Sequence, residues 1–89
     1  MINYYKLKGL IPLLKQFRHG KCCEQARKNT LSVALNDSFE DLGQTILLEE
    51  INKDPYKYYN IYFETIRKEI IKDSNLSNAQ KIELLKLIN

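Results

Sequence analysis

Tryptophan is absent from this 89-residue chain, histidine and methionine occur once each, proline twice and glycine three times. Three isolated glycines cannot form the glycine-rich loop that cradles phosphates, so nucleotide chemistry of that kind is excluded. One histidine, His19, and two cysteines, Cys22 and Cys23, are too few for a zinc site. Adjacent cysteines on a helix point about 100° apart, which is poor geometry for a disulfide. They read as one packed and one half-exposed thiol in a reducing compartment. Apolar runs fall well short of the roughly 18–20 residues that a membrane span needs. Met1-Ile2-Asn3-Tyr4-Tyr5 lacks the charged-then-apolar order of a signal peptide, so the expectation is a cytoplasmic chain that is not transmembrane.

Little of either charge is in excess overall, with a net +3, but the charges are sorted along the chain. Residues 1–30 carry +6, residues 31–55 carry −5 and residues 56–89 carry +2. Blocks of opposite sign predict mutually attracting faces of one bundle rather than a nucleic-acid surface, which gathers its cations on one face. The basic first block also suits an anionic membrane leaflet or a phosphate backbone. A chain of this length buries about 60–65% of the surface it exposes when unfolded. That leaves little room for a substrate cleft and its scaffold. No enzyme, no cofactor and no metal is expected.

What is present is helical periodicity. Leu7, Leu10, Ile11, Leu14 and Phe17 follow the helical repeat, interrupted by Gly9 and Pro12, so this helix starts near Leu10 or kinks there. Arg18-His19-Gly20 ends it, with basic side chains at the negative end of the dipole and Gly20 as the left-handed residue. A second segment, Lys21 to Leu35, places Cys23, Ala26, Thr30, Val33 and Ala34 on one side, with Gln25, Arg27 and Lys28 largely outside. Asn36-Asp37-Ser38 reads as a turn, with Asp37 or Ser38 capping a third helix and Glu40 and Asp41 in its first turn. Phe39, Leu42, Ile46, Leu47 and Ile51 form that helix's apolar face.

The strongest signals lie in the last third. Asp54-Pro55 opens a fourth helix with an N-cap acceptor and a proline at its first position. Its core stripe is Tyr59, Tyr62, Phe63, Ile66 and Ile70, and Asp73-Ser74-Asn75 breaks it. Ser77 and Gln80 form a capping box for a fifth helix that buries Ile82, Leu85 and Ile88. No strand-like alternation of any length appears. The expected fold is all-α, a small antiparallel helical bundle of four to five helices in one domain over residues 1–89. Connections of two to five residues favour antiparallel neighbours.

Acid pairs Glu40-Asp41 and Glu49-Glu50 read as solvated or dipole-satisfying rather than as acid–base machinery, and Asp37 with Asp41 lacks a loop of oxygen ligands for a cation. Tyr56 and Tyr58 lie off the core stripe among cations. The candidate partner-binding set is Tyr56, Lys57, Tyr58, Arg67 and Lys68 on the fourth helix, with Lys81 and Lys86 on the fifth. Exposed tyrosines beside lysines suit a protein partner, or a platform on which bases stack.

Two family resemblances run through these residues. The Leu-rich third helix, the Pro55-led helix ending near Lys72, and Leu76-Ser77-x-x-Gln80-x-x-x-Leu84-x-x-Leu87 resemble the C-terminal half of the immunity proteins of pediocin-like (class IIa) bacteriocins. The resemblance implies an antiparallel four-helix bundle that protects the producing cell from inside. It further implies that the partner is the bacteriocin complexed with its mannose phosphotransferase receptor at the inner membrane face, and that specificity lies in the C-terminal half. Separately, Phe39-Glu40-Asp41-Leu42-x-Gln44, then Asp54-Pro55 and Phe63-x-Thr65-Ile66-Arg67-Lys68-x-Ile70, is similar to region 2 of bacterial sigma factors. That implies docking on RNA polymerase and contact with promoter DNA through aromatic and basic side chains. With no tryptophan and no helix-turn-helix to follow, the chain fits a small phage or mobile-element regulator that binds the transcription machinery or nucleic acid better than a working sigma factor. A non-enzymatic protein–protein interaction module of the immunity type is the expectation carried forward, with the regulator as its alternative.

Overall fold

A computed structural model describes residues 3–19 and 23–89. Five helices follow in order: α1 (Tyr4–His19), α2 (Glu24–Asp41), α3 (Leu48–Lys53), α4 (Pro55–Lys72) and α5 (Asn78–Ile88). There is no strand among the described residues. The protein is a small all-α bundle made of two antiparallel hairpins, α1–α2 and α4–α5. In the first, Lys6 at the start of α1 pairs with Asp41 at the end of α2, and Arg27 donates to the Arg18 carbonyl at the opposite end. In the second, Lys81 reaches the Ile71 carbonyl and Arg67 reaches Asn89. α1 and α4 each pack between α2 and α5, while α3 lies against α2 and α4.

The α4–α5 hairpin forms as its local signals dictate. The Asp54 carboxylate accepts from the Lys57 backbone N–H at 3.2 Å, and Pro55 occupies the first helical position. Tyr59, Tyr62, Phe63, Ile66 and Ile70 are all buried. Gln80 N–H donates to Ser77 Oγ at 3.2 Å and Ser77 N–H to Gln80 Oε1 at 3.1 Å, the reciprocal pair of a capping box. α5 turns differently from the expectation, however. Leu84 and Ile88 are buried, Leu85 is half-buried, and Ile82 faces outward at 54% exposure.

α1 does not start at Leu10: it runs from Tyr4 straight through Gly9 and Pro12. Pro12 is exposed and cannot donate to the Lys8 carbonyl, a loss worth about 3 kcal/mol or more in a helix interior. Burying Leu7, Ile11 and Leu14 on one stripe that spans the proline favours continuity. His19 is the last residue of the helix, as expected of a helix ending. Gly20, the expected left-handed residue, lies outside the described residues, as do Lys21 and Cys22.

The larger correction concerns α2. Asn36-Asp37-Ser38 is no turn, and no helix begins there; α2 continues to Asp41. Two side chains with a preference for turns are satisfied inside the helix instead. Buried Ser38 donates to the Ala34 carbonyl four residues back at 2.7 Å, and Asn36 Nδ2 donates to the Ile46 carbonyl at 2.8 Å. The stop is Gly43 at φ +77°. Its N–H donates to the Glu40 carbonyl at 2.9 Å, and Gln44 N–H donates to Phe39 at 3.0 Å, the paired bonds of a Schellman ending. Glu40 and Asp41 therefore sit in the last turn of α2, not in the first turn of α3. The buried face is Leu31, Ser32, Leu35, Ser38 and Phe39; Cys23, Ala26, Thr30 and Val33, expected inside, are exposed.

Residues 42–47 then lead to the single-turn-and-a-half α3, which buries Ile51 and leaves Leu47 exposed. This connection is one residue longer than expected, and Asp54 alone joins α3 to α4. Residue 46 is tethered to α2 at Asn36, so the chain returns along α2 and delivers the head of α4 beside Arg18 and Lys28.

Candidate interaction surface

With the α4 stripe turned into the core, the positions of the seven candidate side chains are fixed. Tyr56 lies on one flank of α4, half-buried, with the Arg18 guanidinium 3.8 Å from its ring centre and Lys28 Nζ at 5.6 Å. Tyr58 lies on the other flank, edge-on to Phe39 at 6.4 Å and 90°, with Lys57 Nζ 5.8 Å from its own ring. Both tyrosines pack against the core. They are not the exposed platform that their off-stripe positions suggested, because cations and an aromatic edge from α1 and α2 already occupy their faces.

Arg67 and Lys81 each reach across the α4–α5 seam, at different points along it. Arg67 Nη2 donates to Asn89 Oδ1 at 3.3 Å, and Lys81 Nζ donates to the Ile71 carbonyl at 3.1 Å. A cation among the last carbonyls of α4 meets the negative end of its dipole. Lys86 is exposed on α5. The seven residues thus divide among two flanks, a seam and an outer face, and do not form one patch.

Lys57 and Lys68 do share a face, being three helical turns apart. Between and beyond them at helical spacing stand Ile61, Glu64 and Ile71. Ile61 is 37% and Ile71 57% exposed. This outer stripe of α4 carries Ile61 and Glu64 between Lys57 and Lys68, with Ile71 beyond them, and its side chains are exposed. Its signal was a second helical repeat, at positions 57, 61, 64, 68 and 71, opposite the core repeat.

A polar latch closes the α1–α5 seam. Tyr4 Oη donates to Glu83, whose other carboxylate oxygen lies 3.1 Å from Lys8 Nζ. The bond from Tyr4, then that from Lys8, holds the Glu83 carboxyl below the usual carboxylate range, and Glu83 in turn raises Lys8 and Tyr4. In the interior, burial pushes the Tyr62 hydroxyl up to about 12, a rise that its hydrogen bond with Ser38 opposes. Tyr59 is raised by burial and lowered by Arg18.

The charge blocks meet where Lys6 pairs with Asp41; Lys28–Glu24 and Lys53–Glu50 are pairs within a block. Cys23 is exposed at the head of α2. Among the described residues, no three His, Cys, Asp or Glu side chains cluster as metal ligands would, and no helix is long and apolar enough to cross a membrane. Comparison with family models, curated proteins and solved structures found no match to this chain.

Proposed function

We propose that this chain is a non-enzymatic protein–protein interaction module, an immunity protein of the pediocin-like bacteriocin type acting from the cytosol. The observation that carries the reading is the α4–α5 hairpin. Apart from the Leu-rich third helix, which does not start at residue 38, the residues in which the resemblance resides are its structural determinants: Pro55 starts α4, Leu76 is buried in the connection, Ser77 and Gln80 cap α5, and Leu84 is fully buried. With these spent on folding, the outer stripe of α4 is left free, and Ile61 and Ile71 supply the exposed apolar area that a partner surface requires. An all-α bundle is also what the resemblance implies.

The test is protection. Expression of the full chain in a sensitive bacterium is expected to permit growth in a pediocin-like peptide at concentrations that arrest the control strain. The double variant Ile61→Ala/Ile71→Ala should reduce protection while retaining its thermal midpoint. Arrest of both strains at one concentration rejects the proposal. Salt-dependent binding of the purified chain to DNA, weakened equally by loss of each lysine, would favour the regulator.

A further inference from the structure

A second surface lies on the other hairpin. Between α1 and α2 runs an open groove whose floor is Leu10, Leu13 and Ala34 and whose α2 wall carries Asp37, Glu40 and Asp41. Leu13 is 44% exposed, although it stands among leucines. The groove exists because Ala34 is small where α2 faces α1, so the leucines of α1 have nothing large opposite them. From Ala34 to Asp41 it extends seven residues, about 10 Å, which matches two turns of a docked helix.

The charge on this wall is one-sided. Lys6 neutralises Asp41, while Asp37 and Glu40 meet no basic side chain among the described residues. Both are exposed, so they cost nothing as they stand, but they set the sign of the field over an apolar floor. A groove of this kind repels anionic surfaces and rewards an occupant that brings apolar side chains at i, i+3/i+4 and i+7, flanked by cations. We infer that the α1–α2 groove is a docking site for a cationic amphipathic helix presented by a partner protein. It is a surface distinct from the α4 stripe and does not depend on the immunity reading.

The test uses two designed helical peptides with one leucine face, flanked by lysines in the first and by glutamates in the second. Binding to the full chain is followed by fluorescence anisotropy and by amide chemical-shift changes. The lysine peptide is expected to bind with shifts centred on Leu10, Leu13 and Ala34, at least about tenfold tighter than the glutamate peptide. Asp37→Asn/Glu40→Gln should weaken it by about fivefold at low salt and flatten its salt dependence. Leu13→Ala should weaken it with the thermal midpoint unchanged, since that side chain contributes little to the core. Equal affinity for both peptides, shifts centred on α4, or no binding overturns the inference. A concentration-dependent dimer that Leu13→Ala dissolves would assign the groove to a second copy of the chain and overturn it equally.

Discussion

One substitution, glycine to alanine, is expected to stabilise this protein at position 9 and destabilise it at position 43. A Cβ added at either site meets nothing within 4 Å, so packing decides neither outcome. Gly9 lies in the interior of α1, where alanine is better than glycine by about 0.8–1.0 kcal/mol because the unfolded chain loses backbone freedom. Gly43 stands at φ +77°, where an L side chain costs about 1–2 kcal/mol through contact of Cβ with its own backbone. The two variants should therefore differ by about 2–3 kcal/mol for the same change in composition. For a domain of this size each kcal/mol moves the midpoint by roughly 4–8 °C, so thermal unfolding followed by circular dichroism at 222 nm resolves them easily. Gly9→Ala without gain would mean that α1 starts beyond residue 9 or breaks at Pro12. Gly43→Ala without loss would mean that α2 does not end in the left-handed residue, and would reopen an earlier ending at Asn36-Asp37-Ser38.

Phe39→Ala should cost about 3–5 kcal/mol in urea unfolding, because the ring is fully buried and packs edge-on to Tyr62 at 5.3 Å; a loss below about 1 kcal/mol would place it at the surface. Above neutral pH the protein should lose stability as the pH climbs from about 10 to about 12: over that range the unfolded chain has released the Tyr62 proton while the folded one still holds it, for about 3 kcal/mol in all. Tyr62→Phe, which has no proton to release, should make that alkaline limb shallower without abolishing it, since Tyr4, Tyr59 and Lys8 are raised too, and an unchanged slope would refute the assignment. Removal of the Ser77 hydroxyl by Ser77→Ala should cost about 1 kcal/mol, whereas Cys23→Ala, at an N-cap whose side chain makes no capping bond, should be neutral, both read from the same unfolding curves; the reverse ranking would contradict the capping box.

The parts of this fold legible in the sequence are those whose causes act within a few residues. Asp54 caps Lys57 and Ser77 caps Gln80, each across three positions, so the starts of α4 and α5 could be read to the residue, although the buried face of α5 could not. α2 could not, because its apolar side chains encircle it. Leu31 and Leu35 face inward while Ala26 and Val33 face outward, and only the neighbouring helices choose between them. Its supposed turn failed for the same reason: Asn36 finds its partner at Ile46, ten residues away, which no local preference encodes. The true stop, Gly43, was visible in the sequence but was masked by the more polar cluster before it. In α5, Ile82 has no place in the core because Leu84 and Ile88, one turn apart, take the inward face, and position 82 lies about 200° round the helix from Leu84. The candidate tyrosines illustrate the limit most clearly. Their off-stripe positions on α4 were evident, whereas Arg18, stacked on Tyr56 from the other hairpin, was not.

What core formation leaves unspent then decides which functional tests are informative. Tyr56 is a poor reporter of partner binding, since Tyr56→Ala also removes the ring against which Arg18 and Lys28 lie and so disturbs the α1–α2 end of the bundle. Tyr58, edge-on to Phe39, shares the difficulty. Ile61, Ile71 and Leu13 do not, because none belongs to the buried core. The first two report on the outer stripe of α4 and the third on an acid-walled groove of the opposite hairpin. Of the two, only the groove is expected to answer strongly to salt and to the sign of the probe, because Glu64 stands between Lys57 and Lys68 on the stripe and offsets part of their charge. A loss of function confined to Ile61 and Ile71 variants therefore locates the partner on α4 without recourse to residues that also hold the fold together.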